Sequence, residues 1–319
     1  MSNYFFEVLR SGINTTFQDK GRFHMQHFGV TPGGCMDLNL FSISNALVGN
    51  SLNEGVLEFA YQGPLLKLVK GKTKFAITGN VIFQIIKSSK KIINGKCNRT
   101  YLIEEGDQID ILATKQSVYG YMAIEGGFDL KSFYKSVSIL SRAEIGPNDG
   151  KKIKTNDKIN IKTICKSIKN FSATVLEKNK NKIRVLKGPQ YDYFSKESQK
   201  EFFLKEYKIS NLTDRMGMRL EGAAMKNIIS TNIRSEGITK GAIQVPADGQ
   251  PIVLLTDYPT IGGYPKIANV ASVDYNLLIQ KIPGEKILFE LIKLPEAEQL
   301  YKEHLNSISE VIKNIKEIN

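Results

Sequence analysis

Short apolar runs separated by glycine or asparagine turns dominate residues 56–124. Seven such runs follow one another along the chain: VLEFA, LLKLV, TKFAIT, VIFQII, TYLI, QIDILA and VYGYMAI. Runs of this length, rich in β-branched and aromatic residues, are typical of strands in an antiparallel barrel or sandwich. Residues 4–9 and the run through Phe17 predict two earlier strands. The N-terminal half is therefore predicted to be mainly β.

Helical patterns are fewer than strand patterns, and two of them begin at a capping residue. Asp37 is a good N-cap for a helix that ends at Gly49, and Ser195 is a good N-cap for a second helix. Residues 273–281 predict a third, short helix. Residues 296–319 place apolar side chains at helical spacing, which predicts a terminal helix that caps a barrel or meets a partner chain.

The second half of the chain again combines strands with polar loops. Residues 183–188 and 286–292 predict strands, and a lysine-rich stretch with weak patterning, residues 162–182, predicts a linker. The predicted domains are therefore residues 1–165 and 183–319, the second including the terminal helix. The predicted fold class is mainly β with α, in the α+β class.

Composition supports a globular protein with two domains. The chain has 319 residues, of which 41% are hydrophobic and 24% are charged. Its N-terminus lacks the features of a signal peptide, and no run approaches the roughly 18 apolar residues that a membrane helix needs. We therefore expect a cytoplasmic protein without a membrane partner.

The formal net charge of +12 raises the question of nucleic-acid binding. The excess is mostly lysine scattered among asparagine and isoleucine, without a recognisable RNA- or DNA-binding motif, so no nucleic-acid partner is expected. No metal site is expected either. His24 and His27 lie three residues apart in a loop, and the three cysteines are widely spaced.

Two polar, glycine-containing loops stand out as candidate sites, the first at residues 18–37 and the second within residues 241–271. Residues 241–271 contain two apolar runs, each followed by turn formers, and bring donors, acceptors and both charge signs into one short span. Such a mixture suits a pocket for a small polar substrate, although tight hairpin turns with solvated side chains would give a similar pattern. The polar residues of this span are Asp248, Gln250, Asp257, Thr260, Tyr264 and Lys266.

Three sequence blocks resemble one known family, in the family's order. These blocks are TTFQDKGRFHMQHFGVTPGGCMDLNLFSISNALVGN at residues 15–50, LTDRMGMRLEG at residues 212–222, and DGQPIVLLTDYPTIGGYPKIANV. They resemble the biotin-dependent carboxyltransferase, or allophanate hydrolase subunit 2, family, which includes the C subunit of bacterial 5-oxoprolinase and the KipI antagonist protein. The resemblance implies two related cyclophilin-like β-barrel domains. Asn156-Asp157 stands where the family usually has Gly-Asp.

The resemblance also implies chemistry on a small amide or lactam. Lys266, Arg215 and glycine N–H groups would stabilise negative charge on an oxygen, and Asp248 or Asp257 would transfer protons or orient a water. The alternative is that each aspartate caps a turn and that Lys266 makes a structural ion pair. The predicted catalytic residues are Lys266, Asp248 and Asp257, and the predicted substrate-binding residues are Gln18, Asp19, Arg22, His27, Asp37, Arg215, Gln250, Thr260, Gly262, Gly263 and Tyr264.

The favoured function is a subunit of a bacterial 5-oxoprolinase, an amide-bond hydrolase that opens 5-oxoproline to glutamate with ATP. Its partners would be a KipI-like B subunit and a lactam-utilisation A subunit. One alternative is a carboxyltransferase subunit that acts on urea or a similar amide with carboxybiotin. Another is a regulatory protein that resembles the KipI antagonist and catalyses nothing. For the enzymes, we expect residues 18–37 and 248–266 to face one cleft.

Overall fold

The computed structural model describes residues 4–165, 168–175 and 181–318. Contacts between residues divide the chain into two units. The first unit contains Met1–Arg22, Gly33–Leu176 and Ser307–Asn319, and the second contains Phe23–Pro32 and Glu177–Asn306. The predicted domain limits, 1–165 and 183–319, stay a prediction, and residues 166–167 and 176–180 of the predicted linker lie outside the described residues. The sequence did not predict that residues 23–32 group with the second unit or that residues 307–319 group with the first.

Two antiparallel sheets make up the first unit. One sheet has the strand order β11-β1-β4-β9-β6-β7, and the other has the order β2-β3-β10-β5-β8-β12-β22. The strands are β1 Phe5–Arg10, β2 Asn14–Gln18, β3 Val56–Ala60, β4 Leu65–Lys70, β5 Lys72–Thr78, β6 Val81–Ile86, β7 Ile92–Asn94, β8 Arg99–Glu104, β9 Gln108–Thr114, β10 Tyr119–Ile124, β11 Lys158–Asn160, β12 Asn170–Ser172 and β22 Lys316–Ile318.

Strands β1, β4 and β6 contribute alternate residues to the core of the first unit, whereas β3 and β10 are buried along their whole length. In β6, Val81, Phe83 and Ile85 are buried while Ile82 is half exposed, as expected when successive side chains point to opposite faces of a sheet. The ring of Phe75 lies 6.1 Å from that of Phe83 in an edge-on arrangement. Each fully buried side chain of this size contributes about 1.5–3 kcal/mol, so the alternating pattern both predicts and stabilises the strands.

A closed barrel with the strand order β13-β20-β17-β18-β15-β14-β21 forms the centre of the second unit. Strands β13 and β21 pair in parallel, whereas the other neighbours in the barrel are antiparallel. Segments between the barrel strands form a separate two-stranded sheet, β16-β19. The strands are β13 Lys182–Lys187, β14 Tyr207–Ile209, β15 Gly217–Glu221, β16 Glu236–Gly237, β17 Ala242–Gln244, β18 Ile252–Leu254, β19 Ile261–Gly262, β20 Lys266–Val270 and β21 Lys286–Leu291.

Helices α1 and α2 begin directly after the predicted caps, and α3 and α4 begin one and two residues before the predicted starts at residues 273 and 296. The side chain of Asp37 accepts hydrogen bonds at the start of α1, and that of Ser195 does so at the start of α2. These oxygens satisfy N–H groups that have no partner within the first turn. The α-helices are α1 Leu38–Leu47, α2 Lys196–Leu204, α3 Ser272–Ile279 and α4 Leu294–Lys313. The predicted fold class, mainly β with α and with a C-terminal helix, is confirmed.

The predicted terminal helix over residues 296–319 is wrong at its C-terminal end. Helix α4 ends at Lys313, and β22 pairs with β12 by placing Ile318 opposite Asn170. The Asn314 side chain donates to the carbonyl oxygen of Glu310 at 2.9 Å, which satisfies one of the carbonyl groups left over at a helix end. Ile318 is therefore a strand residue, although its spacing also fits a helix.

None of the helices in the described part of the chain combines the length and the apolar composition that crossing a bilayer requires. The predicted cytoplasmic location stays a prediction. The described residues also contain no cluster of three or more His, Cys, Asp or Glu side chains that could hold a metal ion.

Candidate functional site

A buried lysine begins strand β20 in the second unit. Only 5% of the Lys266 side chain is exposed, and its Nζ lies 2.6 Å from Oε1 of Glu236. The same Nζ donates to the carbonyl oxygen of Tyr264 at 3.3 Å. A buried ammonium group needs such compensation, because removal of a charge from water is costly. Lys266 is therefore held as a charged donor at a fixed place on the barrel.

Gln190 connects this lysine to its carboxylate partner. Its Oε1 accepts from the backbone N–H of Lys266 at 3.1 Å, and its Nε2 donates to Oε1 of Glu236 at 3.0 Å. The Lys266 ammonium, and then the Gln190 amide, lower the pKa of Glu236 below its ordinary value of 4.5. Gln190, Glu236 and Lys266 therefore form a single hydrogen-bonded group that favours the ionised form of Glu236.

A second glutamine lies beside this group with an unused donor. Gln244 is buried, and its Nε2 has no hydrogen-bond partner among the described residues. The strand register places Gln244 opposite Lys266, next to an irregularity in the pairing of β17 with β20. Gly262 lies against the amide, since a Cβ at that position would be 2.5 Å from Nε2 of Gln244. Residue 262 is in turn the register partner of Glu236.

These side chains offer a small polar ligand both donors and an acceptor. The lysine and the glutamine provide N–H groups, and Glu236, whose side chain is 44% exposed, provides carboxylate oxygens. Fixed donors of this kind stabilise an oxygen on which negative charge develops. We call Gln190, Glu236, Gln244, Gly262 and Lys266 the lysine site.

Arg215 and Asp257 form a separate pair in the second unit. Nε of Arg215 donates to Oδ2 of Asp257 at 2.8 Å, and one of its terminal nitrogens donates to Oδ1 at 2.9 Å. Their side chains are only 11% and 9% exposed. Because both carboxylate oxygens accept from the same guanidinium, the geometry favours a structural role over proton transfer. The predicted catalytic role of Asp257 and substrate-binding role of Arg215 stay predictions.

Asp248 and Gln250 belong to an exposed turn. Oδ1 of Asp248 accepts from the backbone N–H of Gln250 at 3.0 Å, and the Gln250 side chain in turn accepts from the backbone N–H of Gly222 at 3.0 Å. Gly249 adopts a φ of 75° between them, a value that glycine reaches without steric cost. These contacts explain both side chains as parts of a turn, and their predicted roles stay predictions.

The remaining predicted residues of this loop flank Gly262. The carbonyl oxygen of Gly263 accepts from the backbone N–H of Ile233 at 2.8 Å, and that of Thr260 accepts from the N–H of Ile238. Tyr264 is 40% exposed, and its carbonyl oxygen is the one that Lys266 contacts. These backbone hydrogen bonds fix the loop around the lysine site, and Gly262 is the loop residue that lies against Gln244. The predicted substrate contacts of Thr260, Gly263 and Tyr264 stay predictions.

Asp19 of the first predicted loop is enclosed in the first unit. Its Oδ1 accepts from the hydroxyl groups of Ser136 and Ser138, both at 2.7 Å, and from the N–H of Gly21 at 2.8 Å. Its Oδ2 accepts from the N–H of Val137 at 2.8 Å. A buried carboxylate with four donors is fully satisfied, so the contacts of Asp19 fix the path of two loops.

Gln18 and Arg22 are also buried in the first unit. The Gln18 amide donates to the hydroxyl of Thr16 at 2.9 Å and to the carbonyl oxygen of Ile139 at 3.0 Å. A terminal nitrogen of Arg22 donates to the carbonyl oxygen of Ser138. The bonds to Ile139 and Ser138 join the N-terminal block to residues more than a hundred positions later. The predicted substrate contacts of both side chains stay predictions.

Asp37 lies in a buried polar network that also holds Glu58 and Tyr121. Its carboxylate accepts from the N–H groups of Asn39 and Leu40 at 3.0 and 3.2 Å, and its own N–H donates to the hydroxyl of Tyr121 at 2.6 Å. That hydroxyl donates to Oε2 of Glu58 at 2.7 Å. Burial, and then the Glu58 charge, raise the pKa of Tyr121 well above its ordinary value of 10.

His27 lies in the segment 23–32, which groups with the second unit. It is exposed, and its ring lies 4.0 Å from that of Phe28. For Tyr258 of the same unit, burial raises the pKa of the phenol, and a hydrogen bond with the Gln26 side chain lowers it by a smaller amount. The expectation that residues 18–37 and 248–266 face one cleft stays a prediction.

Sequence reasoning did not select Gln190, Glu236 or Gln244 for the lysine site, nor Glu58 and Tyr121 for the buried network. A usable signal was present in two of them. Gln244 and Glu58 are the polar members of the otherwise apolar runs AIQV and VLEFA, and a polar side chain in a buried strand needs a partner or a ligand.

Fold and site together define a class of protein. It is a β-barrel protein whose second unit presents a buried, carboxylate-paired lysine and glutamine amides, a donor set suited to a small carbonyl compound. Its sequence matches the family model described as carboxyltransferase domain, subdomain A and B, over residues 28–291. The chain belongs to this family.

Its relatives include both separate subunits and parts of larger enzymes. The C subunit of 5-oxoprolinase from Haemophilus influenzae is 31% identical over 93% of this chain and 94% of its own length. The Escherichia coli protein of the same name is 30% identical over 94% of this chain and 97% of its own length. The crystal structure of the Kluyveromyces lactis urea amidolyase is similar over 96% of this chain, with 27% identity and a TM-score of 0.87. This chain spans only 20% of that larger enzyme.

Proposed function

We propose that this chain is a subunit of a 5-oxoprolinase that opens 5-oxoproline to glutamate with ATP, in a complex with a KipI-like B subunit and a lactam-utilisation A subunit. One observation carries the proposal. The two 5-oxoprolinase relatives match nearly the whole of this chain and nearly the whole of their own length. Both are named as C subunits, which implies that they work with other subunits, and we extend this to the present chain.

The lysine site fits the chemistry of lactam opening. When water adds to the lactam carbonyl carbon and the C–N bond breaks, negative charge develops on the carbonyl oxygen and the nitrogen must gain a proton. Lys266 supplies a fixed positive donor for that oxygen. Glu236, held ionised by Lys266 and Gln190, keeps the lysine in place before substrate binds.

ATP, when bound, supplies the free energy that lactam opening requires. The charge of Lys266 is balanced by Glu236 at 2.6 Å, so the lysine site has no surplus positive charge for a triphosphate, which needs cationic clamps. We therefore assign the nucleotide to the partner subunits and the contacts with the amide to this chain.

A carboxyltransferase subunit acting on urea is the second candidate. The observation in its favour is the similarity to the K. lactis urea amidolyase, with a TM-score of 0.87 over 96% of this chain. Carboxybiotin would supply the carboxyl group in that reaction. Urea presents the same planar carbonyl and N–H groups as a lactam, so the lysine site would bind either compound through the same donors.

Reconstitution of the complex tests the proposal. The chain, mixed with both partners and ATP, is expected to release glutamate from 5-oxoproline, and Lys266→Ala is expected to lower the rate more than tenfold without unfolding the protein. Lys74→Ala is the matched control, because the Lys74 side chain is also 5% exposed and its Nζ lies 3.1 Å from Glu125 in the first unit. This control should retain the rate.

Two results would count against the proposal in different ways. Full activity of Lys266→Ala would remove this residue from the mechanism, while no glutamate from the wild-type mixture would remove the favoured substrate. Carboxylation of urea by the same chain together with a biotin carboxylase and carboxylated carrier would then support the second candidate.

A further inference from the structure

We propose that Gln244 is a substrate-binding residue whose side-chain N–H donates to the carbonyl oxygen of a small planar amide, either a lactam or urea. This inference rests on the proposed function, since it assigns a ligand to the same lysine site. It adds a residue that was not among the predicted site residues and a chemical reason for its presence.

The first support is an unused donor. Only 6% of Gln244 is exposed, and its Nε2 has no hydrogen-bond partner in the part of the chain that the structure describes. A buried N–H without a partner is unfavourable, and such groups are rare in folded proteins. Its presence in an otherwise apolar strand is explained if a ligand supplies the missing acceptor.

The second support is the fit of the backbone at Gly262 against that donor. A Cβ on residue 262 would lie 2.5 Å from Nε2 of Gln244, so only a residue without a side chain can lie this close to the amide. The φ angle of Gly262 lies outside the left-handed region that favours glycine. Its backbone conformation therefore does not require glycine, whereas the close approach to Gln244 does.

The third support is the placement of charged groups around the donor. Gln244 and Lys266 are register partners on neighbouring strands, and directly opposite residues point to the same face of a sheet. Glu236, the register partner of Gly262, lies 2.6 Å from Nζ of Lys266. A lactam or a urea carries its carbonyl and an N–H side by side on one planar edge. The glutamine and lysine donate to its oxygen, and the glutamate accepts from its nitrogen.

Replacement of the amide by an apolar side chain of similar size tests this assignment. The full-length chain is titrated with 5-oxoproline, urea and cyclopentanecarboxylate, which has a ring and a carboxylate but no amide. Gln244→Met is expected to bind 5-oxoproline or urea at least tenfold more weakly than wild type, with unchanged affinity for cyclopentanecarboxylate. Its Tm should equal or exceed that of wild type, because the variant removes a buried donor without a partner.

Gln199→Met is the matched control. Gln199 is equally buried at 6%, but its Nε2 donates to the carbonyl oxygens of Tyr191 and Phe194 at 3.1 and 2.9 Å. This variant should lower the Tm and leave affinity unchanged, the opposite of Gln244→Met. A purely structural role for Gln244 would make the two variants behave alike.

Gly262→Ala places a methyl group against the donor without changing the donor itself. Because the nearest atom to the added methyl is the end of a flexible side chain, we expect the fold to remain and affinity to fall as in Gln244→Met. The inference is overturned if both variants bind as tightly as wild type, or if wild type binds neither 5-oxoproline nor urea. Binding of urea alone, lost in Gln244→Met, would support Gln244 and reject 5-oxoproline as the substrate.

Discussion

Removal of the Asp257 carboxylate separates structural from catalytic roles in the loop block TDYPTIGGYPK. In Asp257→Ala, the Arg215 guanidinium keeps its buried position but loses two charge-assisted hydrogen bonds of 2.8 and 2.9 Å. The backbone bond from the N–H of Asp257 to the carbonyl oxygen of Arg215, at 2.9 Å, does not depend on the side chain. The variant therefore isolates the cost of a buried cation that has lost this carboxylate.

The expected loss of stability is large, because the two side chains are only 11% and 9% exposed. Deletion of one partner of a buried ion pair costs about 3–5 kcal/mol. At roughly 2–4 °C per kcal/mol for a chain of this size, the Tm should fall by on the order of 10 °C. The Tm of Asp257→Asn should fall less, since the asparagine oxygen can still accept one hydrogen bond.

A double variant provides the decisive comparison. Arg215→Met combined with Asp257→Leu replaces the ion pair by apolar side chains of similar length, which often leaves stability unchanged or higher. If the pair is structural, this variant should recover most of the Tm lost in Asp257→Ala and most of the glutamate release by the reconstituted complex. Thermal unfolding monitored by circular dichroism, together with the rate measured well below the Tm, gives both quantities.

One combination of results would refute this reasoning. If the double variant regains the wild-type Tm but stays inactive, Asp257 or Arg215 takes part in binding or catalysis beyond its structural role. A decrease of less than about 1 kcal/mol in the free energy of unfolding of Asp257→Ala would also contradict a buried ion pair, because values of that size are typical of exposed pairs.

Two further predictions concern the ionisable groups. Lys266 and then Gln190 lower the pKa of Glu236 below 4.5, so the stability advantage of wild type over Glu236→Gln should be complete above about pH 4.5 and disappear as the pH falls through the lowered pKa. Thermal unfolding of both proteins from about pH 3 to pH 7 measures this, and a constant difference would contradict it. Tyr121→Phe removes the 2.7 Å hydrogen bond to Glu58 and should cost about 1–3 kcal/mol, because it leaves a buried acceptor short of a donor. Urea-induced unfolding tests this value, and an unchanged midpoint would show that Glu58 finds another donor.

Elements whose signal is local could be predicted well. Strands β1, β4 and β6 alternate buried and less buried residues over short distances, and the N-caps Asp37 and Ser195 bond within three residues of themselves. The end of α4 could not be predicted in this way. Lys316–Ile318 forms a strand because Asn170–Ser172 is available as a partner, and that contact depends on residues far away in the sequence.

The lysine site was only partly predictable for the same reason. Lys266 and Gly262 lie in one sequence block. Glu236 reaches that block through the pairing of β16 with β19, and Gln190 reaches it from the loop that follows β13. The pairing of β17 with β20 also shifts its register at Gln244, and the spacing of apolar residues does not predict such a shift. A polar residue within an apolar strand was the available signal in the sequence. Because a strand can contain one polar residue for structural reasons, this signal alone assigns no function.

The barrel and the lysine site depend on one another through the backbone after β13. Gly188 donates to the carbonyl oxygen of Ile267 at 2.9 Å, and a Cβ at Gly188 would lie 2.3 Å from the carbonyl oxygen of Lys266. Only a residue without a side chain lets the chain approach β20 so closely. This approach brings Oε1 of Gln190 within 3.1 Å of the Lys266 backbone nitrogen. The contact that continues the pairing of β13 with β20 therefore also places the amide that holds Glu236 against the lysine.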